Sequence, residues 1–197
     1  MSYFSAKELQ TLDLASLGED VRISRLASIY NPGRISIGNH VRIDDFCVLS
    51  AGEGGIEIGN YIHIAVYCSL IGAGKIAVYD FSNLSSRVSV YSSNDDYSGM
   101  YMTNPMVPDE YTGVTHDDVI IGKHTIVGSG SVILPGAKLE EGTAVGSLSL
   151  VKNKYTCQSF GIYAGVPVRR IGERKRDLLE LEKQLRLQLL RDSSDRR

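Results

Sequence analysis

Residues 35–70 read ISIGNHVRIDDFCVLSAGEGGIEIGNYIHIAVYCSL, and the spacing of their aliphatic side chains decides the fold. Ile37, Ile43 and Leu49 stand six residues apart, as do Ile58, Ile64 and Leu70. Upstream the same step gives Leu17, Ile23 and Ile29; downstream it gives Val78, Leu84 and Val90. After an interruption it resumes as Ile121, Val127, Ile133, Leu139, Val145 and Val151. The second residue of a hexad is often glycine (Gly18, Gly38, Gly59, Gly122, Gly128, Gly146). The fifth is small or β-branched (Val41, Cys47, Cys68, Val88, Thr125, Ser131, Ala137, Thr143). Ile37-Gly38-Asn39 and Ile58-Gly59-Asn60 lie 21 residues apart, so three hexads with a few extra residues make one larger unit.

A six-residue period matches neither a helix nor a simply alternating strand. It matches a short strand followed by a sharp turn, repeated, with glycine expected to supply the turn conformation. Two inward positions per hexad, one large and one small, fill a three-sided tube whose coils pair through backbone hydrogen bonds. The predicted class is all-β, a parallel β-helix over about residues 17–153. Cys47 and Cys68 occupy fifth positions and are expected to pack inward, whereas Cys157 falls outside the repeat.

The flanks read differently. Ser5-Ala6-Lys7-Glu8 has the form of a capping box opening a helix through about Leu14, which would cover the first coil of a cap spanning residues 1–16. The repeat domain is taken as 17–171, with residues 172–197 forming a helix and tail. From Arg174 to Arg191 a helical pattern places Leu178, Leu181, Leu185 and Leu189 on one face, expected to dock onto the tube or a neighbouring subunit. Residues 192–197 read as a disordered tail. Between Tyr91 and Val119 a long insertion (about 92–118) carries Tyr97, Tyr101, Tyr111 and His116, and a loop of that length in a compact domain points to a site.

Composition limits the function. With 21 basic and 23 acidic residues the net charge is −2, which argues against nucleic acid or a membrane surface as partner. No apolar run approaches the roughly 20 residues of a membrane span. The first residues show no secretory pattern, and three cysteines suit a reducing compartment, so a cytoplasmic location is expected.

The hexads, the insertion, Val132-Ile133-Leu134-Pro135-Gly136-Ala137 and the ending Tyr163-Ala164-Gly165-Val166-Pro167-Val168-Arg169-Arg170-Ile171 resemble the hexapeptide-repeat acyltransferases. Within that family the chain is most similar to enzymes that acylate nucleotide-linked amino sugars for surface polysaccharide. The resemblance implies a left-handed β-helix, a homotrimer with sites between subunits, and acetyl-CoA or another acyl-CoA as co-substrate without a metal. It also implies coenzyme A contacts at Ser129, Ser147, Lys152, Gly165 and Pro167, with Arg169 and Arg170 near the phosphates.

One departure bears on chemistry. Sugar O-acetyltransferases of this family carry a catalytic histidine where this chain has Ser92-Ser93-Asn94-Asp95-Asp96. A hydroxyl acceptor needs a base for a proton of high pKa, whereas a neutral amine needs mainly orientation and a modest proton acceptor. Asp95 and Asp96 are therefore the candidate catalytic carboxylates for an amine acceptor. His124 is the rival base, and Ser85, Asn94, Tyr97 and Glu110 are candidate acceptor contacts. His40 and His63 are expected to be solvated. O-acetylation is the alternative chemistry and a structural β-helix the non-enzyme alternative. A β-helical zinc enzyme would need three converging histidines, and the four here lack that spacing.

Overall fold

The computed structural model describes residues 2–194. The chain winds as a parallel β-solenoid of about seven turns. Its first face stacks Ser16–Leu17, Ile35–Ile37, Ile56–Ile58, Ile76–Val78, Val119–Ile121, Lys138–Leu139 and Thr156–Cys157. The second runs from Arg22–Ile23 through Val41–Ile43, Ile62–Ile64, Asn83–Leu84, Ile126–Val127 and Ala144–Val145 to Gly161–Ala164. The third stacks Ser28–Tyr30, Val48–Ala51, Ser69–Gly72, Ser89–Tyr91, Val132–Ile133 and Leu150–Val151.

The hexad starts form the interior. Ile37 aligns with Ile58, Ile58 with Val78, Val78 with Ile121 and Ile121 with Leu139, each on the adjacent coil. Ile43, Ile64, Leu84 and Val127 make the equivalent ladder on the second face, all of them fully buried. Each ladder residue removes its apolar surface from water, worth about 1.5–3 kcal/mol for a full Ile, Leu or Val side chain. Cys157, expected outside the repeat, continues the first ladder opposite Leu139 and is buried. The repeat thus extends one coil further, through Gly161–Ala164.

The turns correct the expected use of glycine. At most corners the left-handed residue is the fourth of the hexad, and it is usually not glycine: His40, Phe46, Tyr61, Tyr67, Phe81 and His124 all have φ between 56° and 61°. The second-position glycines serve close stacking instead. A Cβ on Gly38 would lie 2.6 Å from the Gly59 carbonyl oxygen of the next coil.

The capping box at Ser5 and Glu8 is present, but helix α1 spans only Ala6–Gln10 and stops short of Leu14. At the far end Arg169–Glu173 folds back antiparallel on Gly161–Ala164, so helix α2 begins at Asp177 and runs to Ser194. Residues 192–194 therefore belong to the helix, and the rest of the expected tail lies outside the described residues. The leucine face does not dock within this chain: Leu181 is 62% exposed, and among the described residues of α2 the buried one is Glu182. Among the described residues no helix is long and apolar enough to cross a membrane.

Candidate active site

Each coil has three corners, and two of them differ sharply. Between the first and second faces the fourth-position rings stack in file: His40 on Tyr61 (4.6 Å between centroids), Tyr61 on Phe81 (4.9 Å) and Phe81 on His124 (5.0 Å). Helix α2 lies along this file. Glu182 accepts from His124 Nε2 at 2.7 Å and from Lys123 Nζ at 2.6 Å, and Arg186 Nε donates to its other oxygen at 2.6 Å. Burial alone would raise the Glu182 pKa, but these three donors outweigh it and hold it down at about 2. His124 is thus 8% exposed and committed to a neighbour.

Between the second and third faces the fourth positions are mixed, with Phe46 stacked on Tyr67 (4.9 Å), Arg87 over Tyr67, then Gly130 and Leu148, but the third-position column beside them is small from Ser86 onward. Leu84, Val127, Val145 and Tyr163 are in register, so the positions two residues further on align as Ser86, Ser129, Ser147 and Gly165. Backbone bonds run up this column, from Gly130 N to Ser86 O and from Leu148 N to Ser129 O. Ser129 and Ser147 are exposed. The structure therefore brings Ser129, Ser147 and Gly165 into one line, followed by the turn through Val166 and Pro167 into Arg169–Glu173. Lys152 and Arg169 are exposed and have no ion pair among the described residues, while Arg170 pairs with Glu173 at 2.7 Å.

The insertion leaves the third corner. Its base is tied down by Ser93–Asn94 pairing antiparallel with Thr115–His116, by Ser92 Oγ donating to Gly74 O, and by Lys75 N donating to the Asp118 carboxylate. His116 Nδ1 lies 2.8 Å from Ser93 Oγ. The two aspartates have different surroundings. The Asp96 carboxylate accepts from Ser98 Oγ and from the backbone N–H groups of Ser98, Gly99 and Tyr101, which hold its pKa down at about 2. Asp95 is exposed, and its carboxylate has no hydrogen-bond or ion-pair partner among the described residues. It lines a cavity of about 330 Å³ with Asn104, Val107, Asp109, Thr112 and Val114. Asn94 donates to Asp95 O. Tyr97 and Glu110 are exposed, and Tyr97 at 89% does not pack within the chain.

Sequence reasoning passed over one group. Arg42, His63 and Asn83 are sixth-position residues on successive coils of the second face, in register. With the buried Asp44 they form a polar chain that ends at Ser85. The signal was their shared hexad position, visible only once the coils are aligned. His63, expected in solvent, is held on both ring nitrogens.

No family model matches the chain. It is 52% identical over 182 residues to dTDP-4-amino-4,6-dideoxy-D-glucose acyltransferase of Escherichia coli, covering 92% of this chain and 94% of that one. It is also similar to an N-acyltransferase of Bacillus cereus solved with dTDP and 3-hydroxybutyryl-CoA (46% identity, TM-score 0.88, 95% of this chain and 98% of that one). A serine-to-cysteine variant of that enzyme, solved with dTDP-4-amino-4,6-dideoxyglucose and coenzyme A, gives 47% identity and a TM-score of 0.88 over 93% of this chain and 96% of that one.

Proposed function

This chain belongs to the family of the dTDP-4-amino-4,6-dideoxyglucose acyltransferases, and from that premise we propose how its residues divide the work. It transfers an acyl group from an acyl-CoA thioester to the amine of a nucleotide-linked amino sugar. The acceptor we assign is dTDP-4-amino-4,6-dideoxyglucose, the sugar named for the two relatives. The observation that carries this reading is similarity over nearly the full length of both chains.

The pantetheine arm lies along the small-residue corner, where Ser129 and Ser147 leave room for it against the backbone. Gly165 and Pro167 bound its end, and Lys152, Arg169 and Arg170 meet the nucleotide phosphates. Asp95 is the proton acceptor and Asp96 a loop brace, because only Asp95 has an uncommitted carboxylate. The neutral amine attacks the thioester carbon, the carbon–nitrogen bond forms, and a tetrahedral oxyanion results. As the oxyanion collapses the carbon–sulfur bond breaks; the nitrogen gives its proton to Asp95, which passes it to the departing thiolate, so that the carboxylate is restored and coenzyme A leaves as the thiol. Ser85 faces the reacting centre from the small-residue corner, and Asn94, Tyr97 and Glu110 contact the acceptor.

Asp95 and Ser85 belong to different corners of one coil, separated by the strand Ser89–Tyr91, about 10 Å of extended chain. A site using both is completed by a second copy, and we assign a homotrimer in which the loop of one subunit meets the corner of the next. The side chains of Tyr97, Met100 and Met106, 79–90% exposed in one chain, fit a loop that a neighbour covers. We place the enzyme in the cytoplasm, where its three buried cysteines stay reduced. The test is acylation of dTDP-4-amino-4,6-dideoxyglucose with acetyl-CoA and 3-hydroxybutyryl-CoA, with the 4-hydroxy sugar as control. Amide formation is expected with the amino sugar, and ester formation on the hydroxyl sugar at a comparable rate would overturn the amine assignment.

A further inference from the structure

A polar chain embedded in the second face leads to Ser85, and its atoms allow only two hydrogen-bond patterns. Asp44, 3% exposed, accepts from Arg42 Nε at 2.7 Å, and its other oxygen is 2.8 Å from His63 Nε2. His63 Nδ1 lies 3.1 Å from Asn83 Oδ1, and Asn83 Nδ2 lies 3.4 Å from Ser85 Oγ. Desolvation would push the Asp44 carboxyl up, but Arg42 and His63 outweigh it and keep it below the ordinary range, so it only accepts.

The amide of Asn83 has one accepting end and one donating end, and the histidine tautomer decides which end faces it. With Nδ2 turned to Ser85, Oδ1 accepts from His63 Nδ1–H while Nε2–H donates to Asp44. His63 then carries both protons and is a cation. Ser85 Oγ receives a bond from Asn83, and its own O–H is free to donate outward. When His63 is neutral with its proton towards Asp44, bare Nδ1 requires a donor. The amide turns over, Oδ1 takes the Ser85 O–H, and the hydroxyl presents only lone pairs. The charged groups facing His63 are Asp44 and Arg42 on the preceding coil; the following coil faces it with neutral Asn83.

We propose that Asp44, His63 and Asn83 are positioning residues that set the hydrogen-bond polarity of the Ser85 hydroxyl, making it a donor to the tetrahedral oxyanion when His63 is protonated and an acceptor when His63 is neutral. This rests on the placement of Ser85 at the reacting centre in the reading above. Histidine is the side chain whose charge changes across physiological pH, so the relay gives the enzyme a pH response without a histidine touching substrate.

The experiment measures kcat and KM against pH for acylation of the amino sugar by the full-length enzyme, with Ser85→Ala, His63→Gln and Asn83→Leu alone and in pairs. Asn83→Asp, which keeps the shape and removes the donor, backs up Asn83→Leu should that variant fold poorly. His63→Gln and the Asn83 variants are expected to lower kcat about tenfold, the worth of one hydrogen bond, with KM for acyl-CoA unchanged. Both are expected to remove one ionisation from the kcat profile and to cost nothing further in the Ser85→Ala background. Costs that add to those of Ser85→Ala, or a His63→Gln profile identical to the wild type, would overturn the relay alone. A Ser85→Ala enzyme at full rate would overturn the placement of Ser85 and the relay with it.

Discussion

Two corners of the same tube share one backbone geometry and serve opposite ends. At the corner along α2, the fourth-position residues are rings that stack on one another, and Glu182 seals the file with bonds to His124 and Lys123. At the corner of Ser86, Ser129, Ser147 and Gly165, the side chains are too small to cover the backbone, and the surface stays open. The hexapeptide therefore fixes the frame through its first and fifth residues, and the corner residues decide whether a ligand can lie there. The rings stacked beneath α2 bind the protein to itself. The small third-position column of the other corner, beside the exposed Leu148, leaves backbone uncovered.

Of the two corners, the open one should show the larger effect when it is altered. Ser147→Leu puts a branched chain where the pantetheine arm is proposed to lie, and overpacking costs about 1–3 kcal/mol, so kcat/KM for acyl-CoA should fall roughly 10- to 100-fold. The melting temperature should hold, because Ser147 is exposed. A variant with unchanged kinetics would move the donor site elsewhere.

The closed corner should respond in the reverse sense. Glu182→Ala leaves the buried His124 without its partner and should cost about 1–3 kcal/mol, discounted because Lys123 and Arg186 remain partly hydrated. The melting temperature should drop several degrees while kcat stays near wild type. Acid sharpens the same contrast. The folded pKa of Glu182, about 2, lies below the ordinary 4.5. Its stabilisation is therefore complete above about 4.5 and is lost as pH falls from there through about 2. Wild type should lose stability in that window relative to Glu182→Ala, as followed by thermal melts at successive pH values.

The ladders were legible in the sequence because burial constrains two positions of every hexad, and a six-residue step has no other ready explanation. The N-terminal cap was legible from Ser5 and Glu8, although its length was not, since α1 ends at Gln10. The face by which α2 meets its own tube was not legible. A leucine stripe suggests burial, yet the corner opposite α2 carries Lys123, Asp80 and His124, and Glu182 and Arg186 answer those charges. Asp95 and Asp96 were indistinguishable as adjacent letters. They separate only through the loop backbone that turns three N–H groups onto Asp96. The polar chain from Asp44 to Ser85 was hidden because its members lie about twenty residues apart and meet only in register.

The central claim is that a site joins the loop of one subunit to the open corner of another, and subunit complementation tests it most directly. Asp95→Asn is expected to lower kcat on the order of 10²–10⁴-fold, and Ser147→Leu to impair donor binding in its own corner. Chains carrying one change each, unfolded and refolded together in equal amounts, form some sites with an intact loop from one chain and an intact corner from the other. Random assembly makes about a quarter of the sites fully intact, so the mixture should recover roughly a quarter of wild-type activity. A mixture no more active than the average of its two parents would contradict the shared site and return the chemistry to a single chain.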